Sequence, residues 1–409
     1  MKPRLILVPS VHVVRDAEGL RMDDKFIEGI RMFAREWDGP VRVVIREYDG
    51  ALPFSRRIDP ADLPCELRVI GPEIPITPED LQGGDIVLAA ADDFRQMSLP
   101  PVCAAVGARL VYAIEYDLAT RMAVSQMDLA TLRPLKRLLR TLRAKQWLLS
   151  HERRLRRALR AADGVQANGF PAWTAYRGLS ASPCLYLDGR MSRDAMATPA
   201  DQARRAAQTG PLRIVHAGRL IAMKGSQDLV PFAQALRDEG VDFTLDIFGT
   251  GPMRAPMAAD LARLGLGGEA DLPGGQPGPV RLHQPVDFST ELVPWMRDKA
   301  DLFVAFHRQS DPSCSYLEAM GCGLAVMGSS NAMWTELAKQ SQGGWVAPMG
   351  QPATMARQIA ALNRTDIMTA GERALHYAQD HDFDREFARR IDHLRQLAPA
   401  LTPAQHAST

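Results

Sequence analysis

Short apolar runs bounded by turn residues recur along the chain, and several of the segments between them repeat at helical spacing. Leu5–Pro9 and Val41–Ile45 are β-branched-rich runs, the pattern of buried strands. Between them Lys25–Trp37 reads as a helix that Asp23 or Asp24 can cap. Asp85–Ala90 is a further strand, followed by Asp92 and Asp93; Pro101–Gly107 reads as a short helix and Ala108–Ile114 as a strand. Asp163–Asn168 and Pro183–Leu187 extend the same alternation. Strand, helix and strand in succession predict a parallel sheet covered on both faces.

Ser192–Gly210 is polar and Ala-rich, and reads as a linker. A second alternation follows. Leu212–Ala217 is a strand ended by Gly218, Arg219 and Leu220, and Lys224, Gly225 and Ser226 open a helix to about Asp238. Phe243–Phe248 is a strand closed by Gly249-Thr250-Gly251-Pro252, with a helix at 253–264, a short strand at Val280–Leu282 and a short helix at Glu291–Asp298. Asp301–Phe306 is an apolar strand, Asp311, Pro312 and Ser313 are turn and helix-start residues, and Tyr316–Met320 is a short helix ended by Gly321 and Gly323. Gly323–Gly328 and Gly343–Val346 read as strands, and Pro352 to Leu362 as a helix. The tail Asp382–Leu397 puts Phe383, Phe387, Ile391 and Leu394 on one face. The expected organisation is therefore an α/β unit over 1–200, a second over 205–375 and a terminal helix within 376–409. A ligand between two such units lies at the carboxyl ends of both sheets.

The length of 409 residues agrees with two cores. A net charge of +1 gives no global pull toward nucleic acid, and no apolar run is long enough to span a bilayer. The first strand begins at once, so no signal peptide is expected. Cys65, Cys103, Cys184, Cys314 and Cys322 lack metal-ligand spacing and read as reduced thiols of a cytoplasmic protein. Charge changes the picture at one place. Leu132–Arg160 carries eleven Arg or Lys residues against one acid, Glu152, with leucines interleaved at helical spacing. It reads either as surface helix packed on the domain through Leu, with Arg stems in solvent, or as a basic amphipathic face for anionic lipid. No aromatic-interleaved platform accompanies it, so a nucleic-acid partner is not expected.

The chemistry gathers in the second unit. Arg219 follows a strand and Lys224 stands five residues on; two cations beside helix N-termini suit a diphosphate, or form ordinary surface pairs. Glu318 sits in an apolar short helix, either as a helix-start carboxylate or as a ligand group. Asp92-Asp93 reads as a turn. The chain has no P-loop, GxSxG, HExxH or paired-His metal site.

From Pro211 to Leu362 the pieces HAGRLIAMKG (216–225), DIFGTGP (246–252), ADLFVAF (300–306), SYLEAMGCGLAVMG (315–328) and GGWVAP (343–348) together resemble the donor domain of retaining GT-B glycosyltransferases of family 4. VQANG (165–169) and YLDGR (186–190) match in outline. The resemblance implies two Rossmann-like domains facing a central cleft. It implies a nucleotide-sugar donor without metal or cofactor, and a glycan or lipid-linked acceptor, at the inner face of a membrane if the 132–160 segment binds lipid. Arg219 and Lys224 match the cations on the diphosphate, and Glu318 the second Glu of a Glu-x7-Glu motif, which takes the ribose hydroxyls. Gly218, Gly249, Gly251, Ser310, Ser313, Cys314, Ser315 and Tyr316 line the expected donor site, and Glu115, Tyr116 and Asp117 the acceptor side. The first motif Glu falls on Ser310, with Asp311 next to it as the substitute carboxylate or as a helix cap. Ser10-Val11-His12 stands where the family has a Gly-rich turn. A GT-B isomerase or phosphorylase and a non-catalytic nucleotide-binding module are the rival readings.

Overall fold

The computed structural model describes residues 2–50, 52, 55–128, 134–270, 278–310, 312 and 314–398. Asp311, Ser313, Leu132, Arg133 and the last residues of the tail lie outside the described residues. Two sheets organise the rest. The first holds β1 (Leu5–Val8), β2 (His12–Asp16), β3 (Gly19–Asp23), β4 (Val41–Glu47), β5 (Ser55–Ile58), β6 (Glu66–Ile70), β7 (Ile86–Ala90), β8 (Arg109–Ile114), β9 (Gly164–Asn168) and β10 (Pro183–Tyr186). Their order is β10-β9-β8-β7-β1-β4-β2-β3-β5, with β6 also on β4. All pairs are parallel except β2 with β3 and β3 with β5.

The second sheet holds β11 (Leu212–Ala217), β12 (Phe243–Phe248), β13 (Gly267–Glu269), β14 (Val280–His283), β15 (Leu302–Ala305), β16 (Ala325–Ser329) and β17 (Gly344–Ala347), in the order β13-β14-β12-β11-β15-β16-β17, all parallel. The central strands β15 and β16 are buried along their whole length, as an apolar run flanked by helices on both faces requires.

Four strands of the first sheet, β2, β3, β5 and β6, have no counterpart in the reading of the sequence. The hairpin β2–β3 begins where a Gly-rich turn is expected. Its turn is set locally: the Asp16 carboxylate accepts the Glu18 N–H at 2.8 Å. The polar stretch Ser192–Gly210 is not a free linker. It folds into the helix Pro199–Ala206, closed by a capping box between Thr198 and Asp201. Arg205 of this helix is buried and donates to the carbonyls of Ala300, Gly323 and Cys322 at 2.6–2.9 Å. Composition hid this, because a buried guanidinium on backbone carbonyls looks in sequence like one more surface Arg.

The terminal helix Phe383–Leu397 returns to the first sheet. Phe387, Ile391 and Leu394 join the cluster of Leu5, Phe33 and Val43, and Phe387 meets Phe33 edge to face at 5.0 Å. Helix Asp24–Glu36 is capped by Asp23, which accepts the Phe26 N–H.

The basic segment forms the helix Pro134–Ala161, and it divides in two. Leu148, Leu155, Ala158 and Leu159 are buried in the domain core. Glu152 is buried as well, bonded to Arg156 and the Tyr176 hydroxyl at 2.7 and 3.0 Å. Toward the N-terminus Leu138, Leu139, Leu142 and Trp147 are 50–57% exposed among Lys136, Arg137, Arg140, Arg143 and Lys145. Among the described residues no helix is long and apolar enough to cross a membrane.

Candidate functional site

The carboxyl ends of the two sheets meet. Gly169, just past β9, has φ +83°, and a Cβ there would stand 2.9 Å from the Pro312 side chain and 3.1 Å from Met333 Sδ. Only a glycine accepts both that backbone and that approach. Two walls rise from this contact.

The wall on the second sheet consists of the loops after β11, β12 and β15. Backbone bonds brace the first two: the Gly218 N–H donates to Phe248 O at 3.0 Å and the Leu220 N–H to Thr250 O at 2.9 Å. Gly249 has φ +149°, and a Cβ there would lie 1.9 Å from Gly218 O. This is why the GTG turn needs its glycine. Arg219 is exposed at the head of the braced pair. Lys224, half-buried, lies in a single 3-10 turn, Ala222–Lys224, and not in the first turn of the helix, which runs Leu229–Asp238. The Arg308 N–H donates to Met223 O at 3.1 Å and ties this turn to the loop after β15.

Buried polar atoms gather where these loops join. His216 donates from Nδ1 to Val304 O at 2.9 Å, while its Nε2, His307 Nδ1 and Gln309 Oε1 have no hydrogen-bond partner among the described residues. Burial, then the charge of Lys224, holds His307 well below its ordinary value; burial pushes His216 down to about 4. Both imidazoles are therefore neutral near pH 7. Unused hydrogen-bonding capacity beside a cation is the mark of a site that completes itself with a ligand or water.

The helix after β15 runs Cys314–Gly321, longer at both ends than its apolar pattern predicts. Glu318 is buried within it, 5% exposed, and both its oxygens are taken by Arg190: Nε at 2.7 Å and Nη2 at 3.0 Å. Tyr316 is fully buried. Its hydroxyl accepts from Asn331 Nδ2 at 2.9 Å and its ring stacks on Trp334 at 5.0 Å, so this side chain packs the core. Ser310 Oγ accepts the Ala332 N–H at 3.0 Å. Ser315 is half-buried in the first turn.

The wall on the first sheet is acidic. Glu115, Tyr116 and Asp117 follow β8 directly, and Asp117 accepts the Thr120 N–H at 2.8 Å, capping the helix Leu118–Asp128. Asp92 accepts the amides of Glu115 and Tyr116 at 2.8 and 3.2 Å and pairs with Arg121 at 2.6 Å. Asp93 caps the next 3-10 turn. The acidic pair is thus turn-forming, as its sequence suggests.

A chain of bonds joins the walls. Glu115 Oε1 accepts from Asn168 Nδ2 at 3.0 Å, and Asn168 Oδ1 accepts the Asp188 N–H at 3.0 Å. The Asp188 carboxylate pairs with Lys25 at 3.0 Å, and the Cys314 thiol points to it at 3.9 Å. Burial, with the Asp92 charge, pushes Glu115 up to about 7; the bond from Asn168 works against this. Burial, with Asp188 and Glu318 behind it, pushes the Cys314 thiol up to about 12, so it is a donor and not a nucleophile. Burial works to lower Lys25, but Asp188 and the neighbouring acids outweigh it and raise the amine.

Lys25, Asn168, Asp188 and Arg190 are the residues that reading the sequence did not single out. Asn168, Asp188 and Arg190 lie in VQANG and YLDGR, where polar residues directly follow apolar strands; that was the available signal. Lys25 gives none, because nothing local marks a helix-start lysine as paired 163 residues away.

Residues 211–364, which span most of the second unit, match the family described as "Glycosyl transferases group 1". The chain is 25% identical over 199 residues to the putative colanic acid biosynthesis glycosyltransferase WcaL of Escherichia coli, covering 47% of this chain and 46% of that one. It is 26% identical over 160 residues to the amylovoran biosynthesis glycosyltransferase AmsK of Erwinia amylovora, covering 38% and 36%. The chain thus spans less than half the length of these curated relatives. Among solved structures, Anabaena HepE in complex with UDP superposes with a TM-score of 0.63 at 16% identity, over 96% of this chain and all of that one. Sucrose-phosphate synthase of Thermosynechococcus elongatus gives 0.59 at 16%, over 97% and 99%. The fold is GT-B, with two Rossmann-like units about a central cleft.

Proposed function

We propose that this protein is a glycosyltransferase that moves a hexose from a nucleoside-diphosphate sugar to a glycan or lipid-linked acceptor, with retention and without a metal, in the assembly of a cell-surface polysaccharide. The carrying observation is the cleft itself: a cationic, glycine-braced wall at Arg219 and Lys224 faces an acidic wall at Glu115. In this reading Arg219 and Lys224 hold the diphosphate, helped by Gly218, Gly249 and Gly251 where the backbone comes close. Cys314, Ser315 and the Tyr316 backbone lie at the helix start on the donor side, and Glu318 receives the ribose hydroxyls.

The bond between the anomeric carbon and the diphosphate oxygen breaks. The acceptor hydroxyl oxygen bonds that carbon from the same face, and its proton passes to the departing diphosphate. The two cations stabilise the charge that develops there. Glu115, titrating near neutrality, accepts and donates hydrogen bonds to the acceptor hydroxyl. Asp311 supplies the negative charge that Ser310 lacks.

The exposed leucines and cations of 136–147 support an acceptor drawn from an anionic membrane at the inner face. The helix Leu118–Asp128, which springs from Asp117, touches the Ala222–Lys224 turn and leads to that segment. The relatives that bear on this reading are named for colanic acid and amylovoran biosynthesis, and HepE was solved with UDP-glucose.

Incubation with a panel of nucleoside-diphosphate sugars tests the proposal. Slow release of the nucleoside diphosphate from one donor is expected. A panel in which every donor survives, while the nucleoside diphosphate still binds, favours the second reading, a non-catalytic module. Ser310, turned onto the Ala332 amide, is the observation on that side.

A further inference from the structure

Glu318 is not waiting for a ligand. Its two oxygens are held by the two parallel N–H groups of Arg190 at 2.7 and 3.0 Å. The guanidinium also lies over the Phe288 ring, 4.0 Å from its centroid. A vicinal diol offers a carboxylate two O–H donors side by side, much as the guanidinium offers two N–H donors. A carboxylate buried to 5% exposure, with both oxygens taken, has no room for both partners at once.

We infer that Arg190 stands in the place of the donor's ribose diol on Glu318, and that nucleotide binding displaces it. This rests on the reading of Glu318 as the ribose carboxylate. The exchange is a side-chain event, because the backbone around Arg190 is fixed. The Leu187 N–H donates to Glu386 at 2.9 Å, the Asp188 N–H to Asn168 at 3.0 Å, and Met191 O accepts the Phe383 N–H at 3.1 Å. The Arg190 side chain is 47% exposed, so it leaves into water without crossing the core. While it stays, Arg190 keeps the buried carboxylate neutralised, and the empty site need not bury a lone charge. It also makes the site selective: a ligand without two hydroxyls cannot replace the two donors. Arg190 is thus a positioning and specificity residue of the donor site, two positions from Asp188, which ties the walls together.

Calorimetry on the full chain tests this with two probes: the tightest-binding of UDP, GDP, ADP and CDP, and the 2′,3′-dideoxy form of that same diphosphate. In Arg190→Met the diphosphate should bind about tenfold tighter than in the parent, because it no longer competes with the guanidinium. The dideoxy form should change by less than about twofold, since it never displaced Arg190. A purely structural role would move both probes together. Phe288→Leu loosens the stacked guanidinium without touching Glu318. It should give a smaller gain in the same direction, and it decides the matter alone if Arg190→Met fails to fold. Equal or weaker binding of the diphosphate in these variants, or an equal gain for both probes, would overturn the inference. If the parent binds no diphosphate at all, the ribose reading of Glu318 falls first and takes this inference with it.

Discussion

The two walls of the cleft are built from opposite materials. On the second sheet the wall is backbone and positive charge: braced glycine turns, Arg219, and Lys224 beside neutral imidazoles. On the first sheet it is carboxylate: Asp92, Glu115, Asp117 and Asp188, each held by an amide or a cation. A wall of backbone amides and cations suits an anion that must leave with its charge. A wall of pinned carboxylates suits neutral hydroxyls, which accept and donate at once. In the proposed function the donor takes one wall and the acceptor the other, and each half of that proposal can be broken separately.

The largest effect is expected beneath the second wall, where Arg205 binds the backbone just ahead of β15 and β16. Arg205→Ala leaves the carbonyls of Ala300, Cys322 and Gly323 without their donor inside the protein. Unfolding in urea should show a loss of about 3–5 kcal/mol, since each buried unsatisfied group costs about 1–3 kcal/mol and packing is lost as well. A loss near zero would mean that water reaches these carbonyls.

The exposed arm comes next. Replacing Arg137, Arg140, Arg143 and Lys145 by Gln should cut binding to anionic vesicles at low salt by roughly tenfold or more, at about 1 kcal/mol per cation near the surface. Thermal stability should stay put, because these side chains are exposed. The same change at Arg153, Arg154, Arg156 and Arg157 should also lower stability. Arg156 pairs with buried Glu152 at 2.7 Å, and its guanidinium lies over Tyr176. Vesicle binding unaltered by the first set would remove the membrane role of the arm.

A smaller, pH-dependent effect is expected at Glu115. Its carboxyl titrates near 7 in the folded protein, above its ordinary value of 4.5. A raised acid favours the folded state while protonated. That contribution is whole below the unfolded value and is lost as pH rises through about 7. Glu115→Gln, which keeps the neutral shape, should therefore leave the melting temperature unchanged at pH 4 and raise it by a few degrees at pH 8. An equal shift at both pH values would show that charge is not the cause.

The two walls also differed in how far they could be read from sequence. The second was legible nearly throughout, because its elements are long apolar strands joined by glycine turns. DIFGTGP and SYLEAMGCG declare strand, turn and helix within a few residues. Its failures were local: Lys224 sits in a 3-10 turn, and Tyr316 turns its ring into the core. The first wall was legible only as strands and a short acidic run. Its hairpin β2–β3 and edge strand β5 alternate over too few residues to stand out from loop, and their pairing is a tertiary choice. The bonds that make it a site, Lys25 to Asp188 and Arg190 to Glu318, span 163 and 128 residues. No local pattern encodes such pairs. Helix Pro199–Ala206 was missed for the opposite reason: its composition is that of a linker, and its capping box and one buried Arg decide otherwise.

The division of labour between the walls is tested most directly by titrating the bound nucleoside diphosphate into Lys224→Ala and Glu115→Gln side by side. Lys224→Ala should lose about 1.5–3 kcal/mol of affinity with its melting curve intact, the worth of a charge-assisted contact. Glu115→Gln should bind the diphosphate as the parent does. If Glu115→Gln loses as much affinity as Lys224→Ala, or Lys224→Ala loses none, the walls do not divide donor from acceptor and the account fails.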